Sequence, residues 1–111
     1  MSSPSSSSQF SESAAFGSLA AAERLLVQAE TDPTVARQAA VAALRALLLE
    51  WNQPARGQTV LDLLLQAAET DATLESFRPE AEVLDRFNPE PDALDRAKIF
   101  VDAARARLAN I

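Results

Sequence analysis

The sequence predicts an all-α fold, an antiparallel bundle of four or five helices, on three observations. The first is the stretch PTVARQAAVAALRALLLEW, Pro33 to Trp51, where twelve of the fifteen residues from Val35 to Leu49 are apolar. The second is that apolar residues in the other long segments recur at steps of three and four. The third is that Asp, Thr and Pro stand at the junctions between those segments, as helix caps and first-turn residues do.

The segment 33–51 is expected to be the central helix. At 100° per residue, Thr34, Arg37, Gln38, Arg45 and Asn52 share one arc about 100° wide. The rest of its circumference is Ala, Val and Leu, so neighbouring helices must cover most of it. It is a poor membrane span, since each Arg at the bilayer centre would cost about 2.5–3.5 kcal/mol. Leu44, Leu47, Leu48 and Val101 are expected to be almost completely buried.

The first helix is expected over 13–30, with Phe16, Leu19, Ala20, Glu23, Leu26 and Val27 on its inward face. Residues 1–12, mostly serine, are expected to form a disordered tail, with Phe10 the first residue to reach the core. Asp32 is expected to cap the central helix with Pro33 at its first position. So short a link makes the first two helices an antiparallel pair. The loop Asn52–Gln58 is punctuated by Pro54 and Gly57. Thr59 and Asp62 then resemble a capping box opening a third helix over 59–69. Its stripe Asp62, Gln66, Glu69 is expected to face solvent.

Ala-Glu-Thr-Asp occurs twice, at 29–32 and 68–71. A spacing near forty residues admits a helical repeat, but two copies are too few for a solenoid, and shared capping explains the match. A fourth helix is expected over 72–87, with a kink or break between Glu75 and Arg78 imposed by Pro79. Leu74, Phe77, Ala81 and Leu84 keep their spacing through it, and Asn88-Pro89-Glu90-Pro91 ends it. The fifth helix, 91–109, has Asp92 and Asp95 in its first turn and Arg105 and Arg107 near its end, as its dipole favours. Leu94, Ala97, Val101, Ala104, Leu108 and Ile111 form its seam, which fits packing at about +20° along a neighbour.

Composition narrows the chemistry. The 111 residues contain no Cys, His or Tyr, which removes disulfides, thiolate and imidazole metal sites, and the Ser-His-Asp and Cys-His machines. The net charge is −6, which disfavours binding to nucleic acid and to anionic membranes. The start MSSPSSSSQFSES has neither the basic nor the apolar region of a signal peptide, so a cytoplasmic location is expected. No cofactor is expected. Asp92 and Asp95, with Glu90, are the one candidate for a magnesium site, read in preference as dipole compensation. No ExxE pair of the kind helical nucleotide pyrophosphatases carry occurs. Arg37 and Arg45 are candidates to hold an anionic ligand or a partner's acids, read in preference as a solvated edge or as pairing with the acid-rich region 69–95. Trp51 reads as a core plug or an interface anchor, and Arg56 lies in the Pro/Gly loop beside it.

The run Ala39-Ala40-Val41-Ala42-Ala43-Leu44-Arg45-Ala46-Leu47-Leu48, a Pro/Arg loop, Arg56-Gly57-Gln58-Thr59-Val60-Leu61-Asp62-Leu63-Leu64 and an Asp-rich start to the last helix resemble the HEPN superfamily. Members of that superfamily are small all-α bundles. The resemblance implies a homodimer and a partner of the nucleotidyltransferase class, as in toxin–antitoxin pairs. Many HEPN proteins are ribonucleases with an Arg, four to six residues, then His. Lacking histidine, this chain carries none of those residues, and Val60 follows Thr59 where some relatives have Thr-His-Asp-Leu. The expectation is a non-catalytic interaction or regulatory module. The alternatives are a HEPN-related RNA-processing or nucleotide-binding protein using Arg and Asp, and a short helical-repeat adaptor.

Overall fold

A computed structural model describes residues 6–86 and 92–109 of the chain, with side chains from Ala14 onward. It is an all-α bundle: α1 (Ser6–Ala29), α2 (Val35–Glu50), α3 (Val60–Thr70), a 3-10 helix (Ala72–Phe77), α4 (Arg78–Leu84) and α5 (Ala93–Ala109). No helix among the described residues is long and apolar enough to cross a membrane. The expected Asn88–Pro91 stop, the side chain of Phe10 and Ile111 lie outside the described residues.

α2 is the central helix. It packs against α1, α3 and α5, and Leu44, Leu47 and Leu48 are each 1% exposed, with Val101 of α5 fully covered. α1 lies antiparallel along it, and the Ser18 hydroxyl donates to the Ala42 carbonyl across the pair at 2.8 Å. Alanines dominate this interface: Ala15 and Ala22 of α1 and Ala36, Ala39, Ala40 and Ala43 of α2 are all fully buried. Small side chains let two helix backbones approach closely, and dispersion contacts along the whole seam compensate for their size.

That close approach corrects the expected face of α1. Its buried residues are Ala15, Leu19, Ala22 and Ala29, whereas Phe16 is 46% and Val27 66% exposed. The true seam is turned about 100° from Phe16, onto the alanines with Leu19 buried and Leu26 packed beside them as expected, and Phe16 and Val27 are left on the flank. α1 also begins at Ser6, inside the stretch expected to be a tail ending at residue 12. Serine costs a helix interior only about half a kcal/mol, and no proline lies between Ser6 and Ala29 to stop the helix propagating.

The other boundaries follow capping chemistry. α2 starts at Val35 rather than at Pro33, because Asp32 organises a turn ahead of it. The Asp32 carboxylate accepts from the Thr34 amide at 3.2 Å and from its hydroxyl at 2.6 Å. The second copy of the junction repeats this: Asp71 accepts from the Thr73 amide at 3.2 Å and from its hydroxyl at 2.5 Å. One copy leads into an α-helix and the other into a 3-10 helix, so the repeated tetrapeptide is shared capping. Thr59 caps α3, its hydroxyl accepting from the Asp62 amide at 3.0 Å. Pro79 sits in the first turn of α4, where its missing N–H is harmless. The expected fourth helix is therefore two pieces, 3-10 then α, divided between Phe77 and Arg78. Both still face one core, with the Phe77 ring edge-on to Phe100 of α5 at 6.0 Å.

Candidate functional site

The four sequence candidates divide into those committed to the fold and one that is not. Arg37 donates from Nε to Asp85 at 3.1 Å. The same carboxylate accepts from the Val60 amide at 3.0 Å and the Leu61 amide at 2.9 Å. Asp85, just past the end of α4, thus supplies charge to the amide-rich N-terminus of α3 while tying α2 to it. Arg37 thus pairs with an acid of the region 69–95, one of the two arrangements expected for it besides a ligand role.

Arg56 forms an exposed ion pair with Glu69 at 2.7 Å, and its backbone amide donates to Gln66 Oε1 at 2.9 Å. Gln66 Nε2 in turn donates to the Pro54 carbonyl at 2.8 Å. Gln66 is only 5% exposed, which corrects its placement on the wet side of α3: it fastens the loop onto the helix. Gly57 completes that loop, since a Cβ there would lie 2.4 Å from Asp62 Cβ. Trp51 is half-buried against the core at the end of α2.

Asp92 pairs with Arg96 at 3.0 Å, one turn on, and Asp95 lies exposed in the first turn of α5. No group of three acids able to hold a metal ion occurs among the described residues, and Glu90 lies outside them. A further polar cluster joins the end of α5 to the 3-10 helix. Arg107 Nε donates to Asp71 at 2.7 Å and its NH2 nitrogen donates to the Thr73 hydroxyl at 3.1 Å. The Thr73 hydroxyl, then the Arg107 guanidinium, hold the Asp71 carboxyl below its ordinary value of 3.8.

Arg45 differs from the other candidates. It is exposed, and no ion-pair partner reaches it among the described residues. It lines an open groove of about 350 Å³ floored by α2, with Leu25 and Ser18 of α1 on one side and Gln58 of the loop on the other. Arg37, Gln38, Val41 and Ala42 complete the lining, and none of the lining residues is acidic.

A second groove of about 280 Å³ runs between α1 and α5, lined by Leu26, Val27, Glu23, Glu30, Lys98 and Arg105. Arg105 bridges it to Glu23 at 3.4 Å. Phe16, Ala20, Glu23 and Val27 fall within about 60° of each other on α1, so Phe16 and Val27 extend this groove into one apolar strip. The sequence contained the signal for that strip, but as half of an inward face. Asp85, Gln66 and the Asp71–Arg107 cluster gave no sequence signal, because their partners lie 10 to 48 residues away in the chain. No protein-family model, curated protein or solved structure matches the chain.

Proposed function

We propose that this protein is a non-catalytic helical interaction module of the cytoplasm, HEPN-like in its residue pattern, that self-associates through the outer face of α1. The observation that carries the reading is the exposure of Phe16 and Val27 in line on α1, above the α1–α5 groove. Aligned apolar side chains left outside a completed core are interaction surface. The charges around them are of both signs: Glu23 and Glu30 on α1, Lys98 and Arg105 on α5. A two-fold copy can therefore set acid against base twice, as a self-complementary interface requires. The HEPN resemblance supports the same arrangement and adds a nucleotidyltransferase as a class of partner.

Light scattering over micromolar concentrations tests this directly. The wild type is expected at about twice its chain mass of 11.9 kDa, and Val27→Glu, which alters only an exposed side chain, at the mass of one chain. A wild type that stays at one chain mass on concentrating would overturn self-association.

A second reading draws on Arg45, the uncommitted cation in the α2 groove: an RNA-processing or nucleotide-binding relative that works without histidine. RNA cleavage by the purified protein, lost in Arg45→Ala, would favour it over the non-catalytic module.

A further inference from the structure

The α2 groove and the α1–α5 face differ in charge, and that difference assigns the groove a different kind of occupant. Along the open side of α2, Val41, Arg45 and Leu49 stand at successive turns, an apolar–cation–apolar row. Leu49, 42% exposed, lies one turn beyond the groove, beside Asn52 and Pro54. Leu25 of α1 forms one apolar wall, and Gln38 and Gln58 supply polar rims. On α2 the groove's floor runs from Arg37 to Arg45, roughly 12 Å. In a chain of net charge −6, a groove with an unpaired arginine and no acidic lining residue stands out electrostatically. The carboxylate of Asp85, at the Arg37 end, is occupied by Arg37 and two backbone amides.

We infer that this groove receives an acidic amphipathic helix from a different protein. Leucine-type side chains of that helix would enter between Leu25 and Val41, and a carboxylate flanking them would meet Arg45. Helices recognise grooves in this way, with apolar anchors at steps of three and four. Charge excludes the other occupants. A second copy of this chain laid two-fold on the same groove would set Arg45 and Arg37 against their own counterparts, with no acid lining either side. A nucleic acid would bring a polyanion to a net-acidic protein for one unpaired arginine. The inference rests on reading the protein as an interaction module, but on a surface separate from that of self-association, so binding and chain mass are read independently.

The test is fluorescence anisotropy with a labelled sixteen-residue helical peptide carrying a leucine stripe flanked by glutamates, titrated with the full chain. A matching peptide with lysines for glutamates is the first control. The acidic peptide is expected to bind and to weaken as salt is raised. Arg45→Glu should weaken it at least tenfold, and Arg45→Lys less than that. Arg78→Glu, which makes the same change of charge at an exposed position of α4 lining neither groove, should leave binding within about twofold. Circular dichroism of each variant establishes that the exposed substitutions leave the bundle folded. The inference is overturned if the acidic peptide fails to bind at concentrations on the order of 100 micromolar, if the lysine peptide binds as well, if Arg45→Glu and Arg78→Glu weaken binding equally, or if single-stranded RNA displaces the peptide through Arg45. A monomeric wild type that still binds the peptide would sink self-association alone.

Discussion

The two halves of this bundle are built on different physics. α1, α2 and α5, of 24, 16 and 17 residues, meet on an almost unbroken apolar seam of Ala, Leu, Val and Phe. α3, the 3-10 helix and α4, of 11, 6 and 7 residues, are shorter and are fixed at their ends by polar side chains. The reason is length. Every helix leaves four amides and four carbonyls unpaired at its ends whatever its size, so in a seven-residue helix the unpaired groups dominate. Thr59, Asp71 and Asp85 supply what the short helices cannot supply themselves. Long helices gain stability by burial, whereas short ones need specific partners. Both grooves border α1.

Breaking the long half should have the largest effect. Leu47 is 1% exposed at the centre of α2, and Leu47→Ala removes buried methyl groups where the surrounding alanines cannot collapse inward. A loss of about 2–5 kcal/mol is expected in denaturant unfolding. A loss under about half a kcal/mol would mean that α2 is not the structural centre.

Breaking the short half should cost less per substitution. Asp85→Ala strands the Val60 and Leu61 amides and releases Arg37, and roughly 2 kcal/mol should be lost. Asp85→Asn keeps an acceptor oxygen but loses the charge, and should fall between wild type and Asp85→Ala. Equal stability of all three would show that the N-terminus of α3 is satisfied by solvent.

The smallest effect depends on pH. The Asp71 carboxyl is depressed in the folded chain, first by Thr73 and then by Arg107. A depressed folded value means the unfolded chain binds the proton more tightly. The stabilisation is therefore fully present above the ordinary value of 3.8 and is lost as pH falls through the folded value. Thermal unfolding of wild type and Asp71→Asn should differ most near neutral pH and converge below about pH 4. A difference that does not change with pH would remove Asp71 from the link between α5 and the 3-10 helix.

The same division marks what was legible in the sequence. The burial of Leu44, Leu47, Leu48 and Val101 followed from periodicity, because only one arrangement covers so apolar a helix. The Thr59 cap and the break ahead of Pro79 were legible too, since each depends on residues within three or four positions. The inward face of α1 was not. Its alanines and its larger apolar residues fit two orientations, and only the close approach to α2 chooses the alanines. Asp85 and Gln66 were illegible for the opposite reason: a lone polar residue has no period, and its partners become neighbours only in the folded chain. Of the site candidates, Arg37 and Arg45 were both legible on the polar strip of α2, with a solvated edge or acidic partners open to each, but not which of them would pair with Asp85.

Native-state amide hydrogen exchange tests the contrast between the halves most directly. The amides of Leu44 to Leu48 in α2 should exchange only through global unfolding, with protection matching the stability measured in denaturant. Those of α3, the 3-10 helix and α4 should open at lower free energy as one unit, and Asp85→Ala should lower that opening further while leaving the gap between α2 and global unfolding unchanged. Uniform protection across all the helices, or exchange of α2 before α3 and α4, would contradict the account.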